Sequence, residues 1–142
     1  MKTTHILLTM TLLLGSVSTY AQEIRPLMKT SIPFGFTVGN QNFPAGDYTI
    51  WSVELQNLIL LRSTNGAHAT FAGTHTKYLL EPSAHSKLIF QYSGSAYFLS
   101  QIWTQGDTSG RELPGSHRPK ELVRDSSTGE VATVIATVLY KH

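Results

Sequence analysis

The sequence predicts an all-β protein: a single-domain antiparallel sandwich or barrel of roughly eight strands, with one short helix near 118–124. Three observations predict it. Short segments alternate large apolar side chains with small or polar ones, the period of a strand with one face on a core. Turn chemistry separates these segments at close intervals, in GNQN (Gly39–Asn42), FPAGD (Phe43–Asp47), STNG (Ser63–Gly66) and SGS (Ser93–Ser95). The last apolar segment, EVATVIATVLY (Glu130–Tyr140), is dense in Val, Ile and Thr, whose branching at Cβ disfavours helix.

The first 21 residues read as an export signal. Lys2 and His5 form a short polar start, and Ile6–Leu14 (ILLTMTLLL) is an apolar run about half the roughly 20 residues that span a bilayer. GSVSTYA follows, and Thr19 and Ala21 suit the small-residue pockets of a signal peptidase, which places cleavage after Ala21. The mature domain is then 22–142, with no span left in the membrane.

Gln22–Lys29 is mixed in character and reads as a lead-in arm. Ile32, Phe34, Phe36 and Val38 then share one face, with Ser31, Pro33, Gly35 and Thr37 on the other. Pro33 cannot donate to a ladder, so this strand is an edge or has its free side at Pro33. Tyr48–Glu54 and Asn57–Arg62 are the next strands, and Asn65-Gly66 turns the chain back into His68–Lys77. Lys87–Tyr92, with Leu88, Phe90 and Tyr92 on one face, forms a second hairpin with Ala96–Thr104. Arg118–Arg124 is the one helical stretch, with Pro119 in its first turn and Ser116 or His117 as cap; the competing reading pairs ELVRD with EVATV across SSTG. Several strands are apolar on both faces, although an antiparallel sheet needs only one dry face. The excess implies a barrel with partly covered outer faces or a surface that meets a partner.

Composition narrows the function. A formal net charge of +2 leaves no electrostatic footprint for nucleic acid. The absence of cysteine excludes disulfides, thiol catalysis and lipid attachment through a cysteine, and suits periplasmic or secreted bacterial proteins. IPFGFTVGNQNFPAGDYTI (Ile32–Ile50), KLIFQYSGSAYFLSQIWT (Lys87–Thr104) and GRELP (Gly110–Pro114) together resemble a family of short exported bacterial all-β proteins. That family carries no assigned activity, so the resemblance implies export and a β fold and assigns no residue a role.

Candidate chemistry is sparse. His68 and His75 are seven apart, which on one strand points them to opposite faces; His85, His117 and His142 fall in loops or at the chain end. No metal-ligand spacing occurs, and no metal or cofactor is expected. Ser93, Ser95, Ser100 and Ser116 lack a nucleophile-elbow context, and Asp47, Asp107 and Asp125 sit at turns. Arg111, between Asp107 and Glu112, would lower a nearby carboxylate's pKa, the wrong direction for a general acid, and suits an ion pair that pins the chain. Gly106 and Gly110 read as relieving backbone strain in the loop between.

The sharpest binding candidate is an aromatic-amide stripe. In the Ala96–Thr104 strand, Tyr97, Leu99, Gln101 and Trp103 share one face; Phe98, Ser100, Ile102 and Thr104 share the other. With Phe98 and Ile102 in the core, Tyr97, Gln101 and Trp103 form an outer stripe, extended by Arg111, that suits a sugar ring or a peptide. With the reverse, Trp103 is core and the stripe disappears. The expected function is a noncatalytic exported module that binds a glycan, a peptide or an envelope protein. The alternatives are a small secreted hydrolase with its site around 105–118, using His75 or His117 with Glu112, and self-assembly through the Pro33 strand or the C-terminal strand.

Overall fold

A computed structural model of the chain describes residues 24–53, 56–93, 95–115, 131–135 and 137–138. The predicted leader, and the predicted helix at 118–124 with its alternative hairpin, lie outside the described residues. What is described is all-β. The strands are β1 (Ile24–Ile32), β2 (Phe36–Val38), β3 (Gln41–Phe43), β4 (Gly46–Val53), β5 (Leu58–Ser63), β6 (Ala69–Gly73), β7 (His75–Tyr78), β8 (Lys87–Ser93), β9 (Ala96–Trp103), β10 (Ser109–Glu112), β11 (Val131–Ile135) and β12 (Thr137–Val138).

They form two sheets packed as a sandwich. The first runs β12-β1-β4-β5-β6 and the second β11-β8-β9-β10-β7, every neighbouring pair antiparallel. The β2–β3 hairpin joins the second sheet through a parallel pairing of β2 with β9. Of the two architectures expected, the sandwich is the one formed. No helix of the described residues is long and apolar enough to cross a membrane.

Predicted strands divide where the chain changes sheet. Ile32 ends β1 in the first sheet, and Phe36 opens β2 in the second. Ile32, Phe36 and Val38 are buried and Phe34 packs against them, so alternation identified the inward set but not the crossing. Pro33, without an N–H, stands just past the strand end. Of the two alternatives there, the edge strand is corrected: β1 lies between β12 and β4 and β2 between β3 and β9, while Pro33 itself falls between the two strands, where no ladder needs an N–H. The predicted lead-in arm is corrected too, because Ile24–Lys29 pairs with β4 as the first part of β1. The chain also changes sheet at Thr74, between β6 and β7, and between β11 and β12. Strands that switch sheets thus turn both lateral corners of the sandwich.

Both predicted hairpins form. β8 and β9 pair antiparallel out to Ser93↔Ala96. At Asn65-Gly66 the loop is longer: Ser63 N–H donates to His68 O at 2.8 Å, Asn65 Oδ1 accepts from Ala67 N–H, and Gly66 takes a φ of 74°. Such a positive φ favours glycine.

The core lies between the sheets. Met28, Ile50 and Leu61 form one cross-strand row of the first sheet, and Leu88, Phe90 and Ile102 face them from the second. One end of the sandwich is aromatic. Phe36 stacks on Phe43 at 5.4 Å, Tyr48 meets both edge-on, and Phe34 stacks on Tyr97 at 4.2 Å. Tyr48 donates its hydroxyl to Pro44 O at 2.6 Å, and burial raises its pKa.

Candidate functional site

β9 carries most of the residues singled out from sequence, and a bulge decides their directions. Its register with β8 shifts between Ile89↔Gln101 and Phe90↔Leu99, leaving Ser100 as the extra residue. A bulge reverses the alternation of faces beyond it. Tyr97 and Leu99 therefore turn inward before Ser100, and Ile102 turns inward after it. Neither predicted face survives whole.

The four candidates separate accordingly. Tyr97 packs on the core against Phe34 and Tyr92. Gln101 and Trp103 are on the outer face of the second sheet, where Trp103 Nε1 donates to Gln101 Oε1 at 3.0 Å. Trp103 is only 2 % exposed, although it stands outside the contiguous core, so its ring offers no surface for a ligand to stack on. Gly110 sits directly opposite on β10. A Cβ there would come within 2.7 Å of Cδ2 and Cζ3 of the indole, and closer still to Cε3. Gly110 is therefore required by the ring that lies over it and not by backbone strain; Gly106, with a φ of 86°, does fill the strained turn position.

Arg111 pairs with Ile102 and points inward, between the sheets. Its guanidinium donates to Ser52 Oγ at 2.5 Å, from the first sheet, and to Thr74 Oγ1 at 3.4 Å, at the β6–β7 corner. Thr74 in turn donates to Asn57 O at 2.9 Å. Arg111 thus ties the two sheets together at one end of the sandwich. Glu112 faces outward, opposite His75, and its Oε1 takes Lys77 Nζ at 2.9 Å. The carboxylate anchored in this region is therefore Glu112, and lysine anchors it.

Where Arg111 enters, the end of the sandwich opens as a cleft of about 260 Å³, on the small side for a ligand pocket. Leu27 on β1 and Asn57 in the β4–β5 turn line it from one sheet; Thr76, Ile102, Thr104, Asp107, Ser109, Gly110 and Arg111 line it from the other. The lining combines three hydroxyls, an amide, a carboxylate and a guanidinium over two aliphatic side chains. Donors and acceptors are thus present together, with apolar area beside them. A smaller cleft of about 130 Å³ lies at the other end of β9, between Asn40 and Pro114.

The β9–β10 turn that carries Asp107 is held in place from outside. Ser83 N–H donates to Asp107 O and Gly106 N–H donates to Ser83 O, each at 2.9 Å, while Gln105 N–H donates to Ser86 Oγ. The wall of the cleft is therefore a braced turn rather than a free loop.

The sequence singled out Arg111 with Asp107 and Gly110 beside it, but not the hydroxyls or Asn57. Thr76, Thr104 and Ser109 carry no local signal, because strand order alone brings them together. Asn57 has one: it holds a φ of 49°, in the left-handed region that asparagine tolerates better than most residues. Among the described residues, no group of three or more His, Asp and Glu side chains could hold a metal ion. Comparison with protein-family models, with curated proteins and with solved structures finds no match to this chain.

Proposed function

We propose that the protein is an exported, noncatalytic binding module, and that the cleft around Arg111 takes a small polar ligand, a short glycan or peptide. The observation that carries this reading is the convergence of Arg111, Asp107, Asn57 and three hydroxyls in one opening between the sheets. Directional polar groups beside a little apolar area are what fix and orient a ligand in a small site. Preorganisation supports the reading as well. Arg111 is held by Ser52 of the first sheet and by Thr74 at the β6–β7 corner, and the Asp107 turn is braced by Ser83, so little side-chain or loop freedom is lost on binding. Export rests on the signal-like first 21 residues.

The test is an amide shift map of the processed protein, titrated with short neutral and acidic glycans and with short peptides. Binding in the cleft perturbs Asn57, Thr76 and the stretch from Thr104 to Arg111. Perturbations confined to the outer face around Gln101 and Lys77 would place recognition elsewhere.

A further inference from the structure

β6 is an edge strand whose chemistry is self-complementary. Among the described residues it is the last strand of the first sheet, paired on one side with β5. Two hydrogen bonds fix the phase of that pairing: Ser63 N–H donates to His68 O at 2.8 Å, and Thr74 N–H to Asn57 O at 2.7 Å. With the observed register, the bonded pairs alternate as 63/68, 61/70, 59/72 and 57/74. Ala69, Phe71 and Gly73 therefore direct their N–H and C=O groups away from β5, toward the open edge. These three residues are also the exposed ones of the strand.

Edge strands are ordinarily guarded by charge, proline or a bulge. The β7 edge of the other sheet carries His75 and Lys77. β6 reads Ala-Thr-Phe-Ala-Gly, with no charge, no proline and a regular register to β5. Phe71 at its centre is 59 % exposed and ends a cross-strand row of Pro26, Trp51 and Leu60 on the outer face of the first sheet.

We propose that β6 pairs antiparallel with β6 of a second copy about a two-fold axis at Phe71. Phe71 then faces its own equivalent as a hydrogen-bonded pair, and Ala69 faces Gly73 of the second copy on each side. The ladder satisfies the outward N–H and C=O groups of all three residues in both copies. The two apolar rows become one continuous stripe across a ten-stranded sheet. Charge fits the same symmetry: the row that carries Lys29 and Arg62 continues into the row of Gly73, Leu58, Val53 and Ile24 of the second copy, so no cation meets a cation. A second copy is favoured over a foreign extended peptide because both clefts lie at the ends of β9 and neither is lined by a β6 residue. Strand addition by a foreign peptide draws its specificity from pockets for alternate side chains.

The chain contains no cysteine, which makes cross-linking a clean probe. Across a hydrogen-bonded antiparallel pair the Cα atoms lie about 5.5 Å apart, within disulfide reach. Phe71→Cys is expected to oxidise to a covalent dimer, while Leu80→Cys, at a fully exposed side chain beyond the end of β7 and outside β6, stays monomeric. In sedimentation of the processed protein, the wild type is expected to double its mass as concentration rises. Phe71→Lys and Phe71→Glu are each expected to remain monomeric, and their equimolar mixture to recover the dimer. A wild type monomeric throughout, equal cross-linking at positions 71 and 80, a mixture that stays monomeric, or a foreign peptide retained on a monomer would each overturn the proposal.

Discussion

The two tryptophans occupy equivalent places and have opposite surroundings. Trp51 is on the outer face of the first sheet, in a row with Pro26, Leu60 and Phe71. Trp103 is on the outer face of the second, opposite Gly110. Trp103 is sealed: glycine leaves room for the ring and Gln101 accepts its N–H. Trp51 is half-buried, and its Nε1 is covered without a hydrogen-bond partner among the described residues. One sheet has thus absorbed its outer aromatic into local packing. The other keeps an apolar row that runs out to an open strand edge. Apolar residues on both faces of a strand therefore have two separate meanings, which only the facing residues distinguish.

The largest effect should come from Trp103→Ala. It removes a nearly fully buried ring and should cost about 3–5 kcal/mol in denaturant unfolding. A small loss there would mean that the ring is not sealed, and the contrast with Trp51 would collapse. Next is Gly110→Ala, where one methyl meets the indole; overpacking of this kind should cost about 1–3 kcal/mol. The same unfolding experiment on the double variant Gly110→Ala/Trp103→Ala should show a cost below the sum of the two, since removing the ring leaves space for the methyl. Gln101→Leu strands the Trp103 N–H and should cost about 1 kcal/mol. The smallest effect is expected at Trp51→Phe. It gives up some ring area but also removes a covered N–H with no described partner, so stability should change by less than about 1 kcal/mol. A cost at Trp51 equal to that of Trp103→Ala would erase the distinction.

Much of the fold was legible because it rests on local signals. Alternation placed Ile32, Phe34, Phe36 and Val38 toward the core, and turn chemistry found both hairpins. The crossings between sheets were less legible. Pro33 and Thr74 divide runs that keep their alternation on both sides, so periodicity passes over the break. The bulge at Ser100 was invisible for a related reason. One extra residue reverses every later side chain, and nothing in YFLSQIW announces it. That single residue undid both predicted faces of β9, sending Tyr97 and Ile102 to the same side. Gly110 was misread because its cause is a ring seven residues earlier in sequence and one strand away. Of the candidate cleft, Arg111 stood out together with Asp107 and Gly110 beside it, since an arginine between two carboxylates is conspicuous in any sequence. Its hydroxyl neighbours come from β7, β10 and the start of the β9–β10 turn and have no spacing to recognise.

On the proposed reading, recognition belongs to the cleft at Arg111. Native mass spectrometry of protein recovered from its own exporting cells, wild type beside Ser109→Trp, tests it most directly. Ser109 is exposed and lines the cleft, so an indole there should fill the opening and leave the fold intact. A defined extra mass is expected on the wild type and not on the variant. The same adduct on both proteins, or none on either, would contradict it.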